Sequence, residues 1–257
     1  MRKRIPQGER RRQLELQRAS LSIAKPQQHT LLSLREKNLR NAIEQLPTIA
    51  YNDLLTKAPE LIKEPYLNKI ITNTYMNVGK NAIRVEINHF LGTKADATYF
   101  EEILRNWVRA NTGAKIKIME ETFKEWFRGQ LAAQVEQGLP IETMVSNLTS
   151  QLGVLDNALE WQVRRIVQTE SLTALSVAQS ESIKSLNIGF EKVWGISGNN
   201  TREHHIEMEG IVIDESEMFE VTNNYGGIDL MEYPRDPNGS PENVINCSCF
   251  CMRLSKK

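Results

Sequence analysis

Apolar residues recur every three or four positions from about residue 29 to about residue 187, and this spacing predicts a series of amphipathic helices. Thr98 and Glu101 have the spacing of a capping box, so one helix is predicted to begin there. Gly113 is predicted to end that helix, because glycine is a weak helix former. A second helix is predicted over residues 118–135.

The longest helical run follows a short segment at residues 141–148, and Asp156 is placed to cap it. It is predicted to end near Asn187 and Gly189. Residues 1–25 differ from all of this, because they are rich in Arg and Gln and contain few large apolar residues. We expect them to form an arm that becomes helical only when it is docked.

Beyond residue 190 the apolar residues alternate with polar ones, which is typical of strands. Strands are predicted at 190–196, 211–213 and 249–252, separated by Gly, Pro and Asn residues that favour turns. The predicted fold class is α+β, with a mostly helical N-terminal and central region followed by a small, loop-rich α+β C-terminal module. The predicted segments are a basic N-terminal arm (1–28), a helical region (29–152) and a C-terminal module of one long helix with short strands (153–257).

The composition excludes several classes of protein. The chain has 257 residues, of which 40% are hydrophobic, so it is long enough for one large domain or two ordinary ones. Three cysteines in a chain of this length do not form a disulfide-stapled secreted scaffold. No run of about eighteen apolar residues occurs, so no membrane contact is predicted. The expected setting is intracellular.

The net charge of zero conceals an uneven distribution. The first forty residues carry eleven basic and three acidic side chains, whereas residues 200–245 carry two basic and eleven acidic ones. A basic arm is typical of proteins that bind nucleic acid or an acidic protein surface. The alternative is a solvated tail whose charge only aids solubility. The residues predicted to contact DNA or an acidic partner are Arg2, Lys3, Arg4, Arg10, Arg11, Arg12 and Arg18.

All the cysteines and half of the histidines lie in the predicted C-terminal module. Imidazole together with thiolate favours zinc over magnesium or calcium, and a small, loop-rich module has the weak core that a metal ion can support. His205, Cys247 and Cys249 are therefore predicted as zinc ligands, with a fourth ligand from His204, an acid or water. The alternative is that reduced cysteines pack as small apolar groups while His205 hydrogen-bonds a loop carbonyl.

Catalytic signatures are weak in this sequence. His205 and one cysteine could form a nucleophile–base pair, but nothing in the sequence places them within hydrogen-bond distance. A metal-dependent nuclease usually needs a further His or a carboxylate set downstream, and no His follows His205. The chain also lacks a phosphate-binding P-loop, a dinucleotide-binding glycine motif and a nucleophile elbow. We therefore predict that the protein is not an enzyme.

Two groups of motifs follow one another in a specific order. The first group is Gln168-Thr169-Glu170, Val193-Trp194, Thr201-Arg202-Glu203-His204-His205 and Met208-Glu209-Gly210. The second is the ending that begins at Tyr233-Pro234-Arg235-Asp236-Pro237 and closes on Asn246-Cys247-Ser248-Cys249. Together they closely resemble the phage Mu F-like minor head protein family, also called phage head morphogenesis proteins, over roughly residues 115–254.

The resemblance implies a set of signature positions and also shows two departures. The family usually has an Asp a few residues before Arg202, where this chain has Gly198-Asn199-Asn200. The residue between the two cysteines is commonly Arg in the family and is Ser248 here. Any activity that depends on the missing Asp would be impaired in this chain. The residues that match the signature are Thr169, Glu170, Trp194, Arg202, His205, Gly210, Asn246, Cys247 and Cys249.

The function that the resemblance implies is that of a low-copy virion protein bound to the portal vertex of a tailed phage. Such a protein takes part in procapsid assembly and in some cases accompanies DNA at packaging or ejection. The implied partners are the portal protein, a scaffold or major capsid protein, and double-stranded DNA. The implied location is the virion head, or the host cytoplasm during assembly. The alternative function is a metal-dependent hydrolase or nuclease carried in the head.

Overall fold

The computed structural model describes residues 2–92, 98–186, 189–198 and 201–255, with the backbone alone at 153–156. Most of these residues are helical, and short strands occur only toward the C-terminus, so the predicted α+β fold class is confirmed. No helix in this part of the chain is long and apolar enough to cross a membrane. The helices are α1 (Gln7–Gln45), α2 (Leu54–Lys57), α3 (Leu67–Leu91), α4 (Thr98–Glu136), α5 (Ile141–Ser150), α6 (Leu152–Ser185), α7 (Glu203–Ile206) and α8 (Pro241–Val244).

The strands form two small antiparallel sheets. The first has the order β2-β1-β5, with Trp194 of β1 opposite Cys251 of β5. The second is the hairpin of β3 and β4, in which Phe219 lies opposite Met231. The strands are β1 (Phe190–Gly195), β2 (Val212–Asp214), β3 (Phe219–Thr222), β4 (Ile228–Met231) and β5 (Phe250–Ser255).

Three details differ from the predictions. Gly113 does not end a helix, because α4 continues through it to Glu136; one exposed glycine costs a helix only about 1 kcal/mol, which the flanking turns offset. Helix α6 begins at Leu152, before Asp156, whose side chain lies outside the described residues. The hairpin of β3 and β4 was not predicted, because its strands are only four residues long and alternation over four positions is a weak signal.

The contacts divide the chain into two compact units, and the four longest helices contribute residues to both. The first unit comprises Met1–Lys25, Asn73–Val108 and Arg165–Lys257, and the second comprises Pro26–Thr72 and Arg109–Arg164. The predicted segment boundaries at residues 28 and 152 stay predictions. Pro26, the first residue of the second unit, lies inside α1, where its ring nitrogen donates no hydrogen bond to the helix.

The second unit has an apolar core and a buried ion pair. Its core includes Phe123 and Phe127 of α4, which are fully buried. Arg35 donates two hydrogen bonds of 2.7 Å to the Glu64 carboxylate, and both side chains are at most 1% exposed. The guanidinium also lies 4.6 Å from the centroid of the Phe123 ring. Two charges that are this well paired satisfy each other inside the core.

In the first unit, every residue of α6 from 169 to 180 is buried, although many of them are polar. The polar groups pair with one another or with neighbouring elements, as buried polar groups must. Gln179 donates hydrogen bonds of 3.0 Å to Gln13 and 2.7 Å to Glu86. Tyr75 donates one of 2.7 Å to Glu170. This half of α6 is therefore surrounded by the first unit, and its side chains contact neighbouring segments on every face of the helix.

Candidate metal centre

One buried cluster contains the three predicted metal ligands. Cys247 and Cys249 lie in the segment before β5, and His205 lies on the short helix α7. The sulfur atoms of Cys247 and Cys249 are 3.6 and 3.5 Å from Nδ1 of His205. The three side chains are only 1–2% exposed. The fold thus brings into contact side chains that are more than forty residues apart in the sequence.

The His205 ring is held by its other nitrogen. Nε2 of His205 lies 2.9 Å from Oδ1 of Asn243, an amide oxygen that can only accept a hydrogen bond. Nε2 therefore carries the hydrogen and donates it, and Nδ1 presents its lone pair to the two sulfur atoms. Asn243 is itself fixed, because its amide donates to Asp229 at 2.7 Å and to the carbonyl of Thr222 at 3.2 Å. This chain of bonds gives the ring the tautomer that a metal ligand requires.

The turn before Cys247 is fixed from two directions. Asn246 has φ +59°, a left-handed conformation that Asn tolerates better than most residues. Its backbone N–H donates to Oγ1 of Thr169 on α6 at 3.0 Å. Arg202 donates to the carbonyl of Ile245 at 2.6 Å. These contacts point the Cys247 side chain toward His205.

Aromatic side chains cover the cluster. The fully buried indole of Trp194 packs edge-on against the His205 ring, with centroids 5.5 Å apart, and against Phe219 at 5.2 Å. No hydrogen-bond partner for the indole nitrogen is found in the described part of the chain. The cover keeps water from the sulfur atoms and lowers the local dielectric, which strengthens interactions between charges.

A buried arginine lies beside the two cysteines. Arg235 is 0% exposed and donates to the backbone carbonyl of Cys247 at 3.1 Å and to that of Cys249. It also donates to Oγ of Ser176 on α6 at 2.7 Å. Arg235 has φ +71°, so the backbone is strained in order to aim this side chain inward. A fixed positive charge therefore faces the thiols.

The two thiols have different proton affinities. The hydrogen bond from Cys249, together with the His205 ring and Arg235, holds the pKa of Cys247 well below its usual range despite burial. The same hydrogen bond, together with burial, raises the pKa of Cys249. Shifts in opposite directions are the pattern expected when two close thiols cannot both ionise.

The arrangement fits a metal ion. With zinc–sulfur bonds of about 2.3 Å and zinc–nitrogen bonds of about 2.0 Å, donors on a tetrahedral ion lie roughly 3.5 Å apart. The observed sulfur–nitrogen distances of 3.5 and 3.6 Å match that separation, and all three donor atoms lie within 4.8 Å of one another. The cluster can therefore hold a metal ion.

The adjacent histidine, His204, and the third cysteine, Cys251, lie outside the cluster. His204 was considered as a fourth ligand, but its Nε2 is 2.9 Å from Oδ1 of Asn243 and is occupied there. Cys251 is buried in β5, where its sulfur atom lies 4.0 Å from the carbonyl oxygen of Met252. Within the described residues, no acidic side chain joins the three donors.

Most of the signature residues gather around this cluster. Thr169, Trp194, Arg202 and Asn246 each contact one of the ligands or the turn that carries it, as described above. Glu170 is one residue beyond Thr169 but pairs with Tyr75 instead. Gly210 has φ +77°, and a Cβ there would lie 2.7 Å from the carbonyl oxygen of Lys3, so glycine is required for the N-terminal segment to pack.

Some of the basic residues predicted to bind DNA or an acidic partner instead form contacts within the fold. Residues 2–5 lie along the first sheet, where Lys3 donates its backbone N–H to Gly210 at 2.8 Å and Ile5 packs on Val193. Three of the seven basic side chains form ion pairs with the body of the unit: Lys3 with Glu191, Arg10 with Glu209, and Arg12 with Glu86.

The other four basic side chains are exposed. Arg2 donates to the Glu207 carbonyl at 2.7 Å, and Arg11 pairs with Glu15 on its own helix. Arg4 and Arg18 have no ion-pair partner among the residues that the structure describes. Two grooves of about 510 and 410 Å³ run between these side chains, lined by Arg2, Arg4, Arg10 and Arg11 together with Arg18.

Sequence reasoning missed the two residues that complete the site. Arg235 and Asn243 were not predicted to have a role, although both lie in the motif that carries the family resemblance. The sequence signal was their place in the Pro- and Asn-rich loop of that motif. Their contacts with Cys247, Cys249 and His205 become visible only when the loop is folded.

Comparisons with known proteins give one relative to report. The chain is 31% identical over 147 residues to the uncharacterized protein YqbB of Bacillus subtilis strain 168. The match covers 56% of this chain and 46% of that protein, so the chain spans about half the length of the relative. No protein-family model matches the chain. No solved structure matches it.

Proposed function

We propose that this protein is a minor head protein of a tailed phage or prophage, bound to the portal vertex and acting in procapsid assembly. The observation that carries the proposal is the meeting of separate motifs at one site. Thr169, Trp194, Arg202 and the Asn246-Cys247-Ser248-Cys249 ending are scattered over eighty residues, yet they surround one buried cluster. This supports treating them as one signature of one module rather than as chance matches.

The burial of the cluster favours a structural role over the alternative, a metal-dependent hydrolase or nuclease. A catalytic metal needs an open coordination position that substrate or water can reach. His205, Cys247 and Cys249 are 1–2% exposed and lie under Trp194. A metal ion here would hold α7 to the segment before β5, and a small module with short strands gains stability from such a link.

The metal is proposed to be a soft ion held by two thiolates and one imidazole. Residue type alone favours zinc, as the sequence predicted, so zinc is the first ion to test. When bound, the ion would supply a cross-link between secondary-structure elements and no reaction. Asn243 would orient the imidazole, and Arg235 would hold the two cysteine carbonyls in place.

The proposed function is tested by locating the protein in phage particles. We expect the full chain to co-purify with the portal protein of its own phage and to be present at a few copies in procapsids and in mature heads. Quantitative mass spectrometry of the purified particles measures both. Absence from procapsids, or a copy number similar to that of the major capsid protein, would contradict the proposal.

Double-stranded DNA is proposed to bind the exposed part of the basic surface. Lys3, Arg10 and Arg12 are paired with distant acids, whereas the Arg11–Glu15 pair is exposed and weak, so about four arginines are available for phosphates. The slope of log affinity against log salt should therefore be about −3 to −4, and not the value near −6 expected for seven contacts. Fluorescence anisotropy with a duplex at several salt concentrations measures this slope.

The test variant and the control variant for DNA binding each lose two positive charges. Arg4→Ala/Arg18→Ala should reduce the slope by about two, because each phosphate contact contributes about 0.9. Lys57→Ala/Arg164→Ala removes two exposed cations elsewhere and should leave the slope unchanged. Equal losses in both double variants would show that only total charge matters and that no specific surface exists.

A further inference from the structure

Arg235 has an unusual electrostatic position. Its guanidinium is fully buried, and within the described residues no carboxylate lies within ion-pair distance of it. Asp236, the adjacent acid, accepts hydrogen bonds from the backbone of Glu232 and Asn238 instead. Arginine does not lose its proton in proteins, and an isolated buried charge is strongly unfavourable. Arg235 donates instead to the backbone carbonyls of Cys247 and Cys249, so the negative charge of a metal ion's thiolate ligands would lie beside this guanidinium.

The number of donors in the cluster is also informative. Three ligand atoms converge, and the described part of the chain supplies no fourth. Nε2 of His204 is occupied by Asn243, and the Asp229 carboxylate accepts hydrogen bonds from Ser240 and Asn243. Exposure of 1–2% leaves no open approach for a water molecule to complete a tetrahedron.

Together, the buried Arg235 charge and the three donors indicate which charge of metal ion the site favours. A divalent ion with two thiolates and one neutral imidazole forms a neutral complex, which leaves Arg235 without a counter-charge. A monovalent ion with the same donors forms a complex of charge −1, which the single positive charge of Arg235 balances. Thiolate ligands select soft ions, and Cu(I) is the soft monovalent ion among the metals that they favour.

We infer that the His205–Cys247–Cys249 cluster is a three-coordinate site for Cu(I), and that Arg235 is the positioning residue that sets the charge of the ion accepted. The inference rests on the metal site proposed above and replaces zinc by a monovalent ion. Binding transfers no electron, because copper enters and stays as Cu(I). Any thiol proton that remains is released to solvent when its sulfur binds the metal.

The test compares two ions on the full-length chain. The metal-free protein, kept anaerobic and reduced, is titrated with Cu(I) against a competing chelator, with Ag(I) as a redox-stable probe, and separately with Zn(II). We expect one Cu(I) or Ag(I) per chain, with two sulfur donors and one nitrogen donor in X-ray absorption spectra. Zn(II) is expected to bind more weakly, with the same two sulfur donors and one nitrogen donor and no fourth protein ligand.

The variants separate charge from packing. Arg235→Met should lower the ratio of Cu(I) affinity to Zn(II) affinity by at least about tenfold, because the counter-charge is lost. Arg235→Lys keeps the charge and should retain most of the preference. An unchanged ratio in Arg235→Met would overturn the inference. If Arg235→Met does not fold, the X-ray absorption spectra of the wild-type chain test the inference instead. Zinc held by a third protein sulfur in those spectra would also overturn the inference.

Failure of the site itself has a different signature. If the wild-type chain binds neither Cu(I) nor Zn(II) more tightly than Cys247→Ala/Cys249→Ala does, then no metal site exists, and both this inference and the proposed metal site are wrong. If zinc binds tightly with three protein donors and one further protein ligand, only the inference about the ion is wrong. Association with the portal is measured independently of both.

Discussion

The Cys247→Ala/Cys249→Ala variant is expected to lose its bound metal completely and to be at least about 4 kcal/mol less stable than the metal-loaded wild-type chain. A ligand present at about a thousand times its dissociation constant contributes roughly 4 kcal/mol to the folded state. Loss of the thiolates also leaves Arg235 buried without an opposite charge. Elemental analysis of protein purified without a histidine tag measures the metal, and urea denaturation followed by circular dichroism measures the stability.

The matched control is Cys251→Ala. Cys251 is as buried as the two ligands but lies outside the cluster, so the variant should keep one metal ion per chain and lose only the small packing energy of one sulfur atom. Treatment of the wild-type chain with a strong chelator should reproduce the part of this loss that comes from the metal, because both cysteines remain beside Arg235. A metal-free wild-type chain, or equal stability of the wild type and the double variant, would remove the cluster from the list of metal sites.

The Glu64→Gln variant is expected to be destabilised by about 3 to 5 kcal/mol, since it leaves the Arg35 guanidinium charged, buried and unpaired. Both side chains are at most 1% exposed, so water cannot replace the lost carboxylate. Glu64 also accepts a hydrogen bond of 2.9 Å from the Tyr66 hydroxyl. Burial alone raises the pKa of Tyr66, so the tyrosine stays neutral in the variant and cannot compensate. Urea denaturation measures the loss.

Two comparisons make this result specific to burial. Lys57→Ala breaks the exposed Lys57–Asp53 pair, which should change the stability by about 0.5 kcal/mol or less. Arg35→Met/Glu64→Leu removes both charges together and should recover much of the stability lost in the single variant. A loss below about 1 kcal/mol in Glu64→Gln would mean that solvent reaches this pair in solution.

The fold class could be predicted because it depends on local periodicity. The three- and four-residue spacing along α4 and α6, and the alternation in β1, are properties of neighbouring positions, and the structure has these elements close to where they were predicted. The exact ends were less predictable. Gly113 was predicted to end a helix because glycine is a weak helix former. That preference is small, and the stability of the surrounding turns overrides it.

The N-terminal segment shows a different limit of sequence reasoning. The excess of positive charge over the first forty residues is evident from composition, but its partners are not. Lys3, Arg10 and Arg12 pair with Glu191, Glu209 and Glu86, each at least seventy residues away in the chain. Because charges attract whichever opposite charge the fold brings near, composition alone overestimated the number of basic side chains that are left without a partner in the fold.

The residue types of the candidate site could be read from the sequence, since imidazole and thiolate groups together are a donor set that favours soft metal ions. The tertiary structure alone decided which residues meet. It brought His205 to the two cysteines, left Cys251 and His204 aside, and placed Arg235 and Asn243 against the ligands. Side-chain type is written in the chain, whereas distance and buried charge arise only when segments that are far apart in sequence pack together.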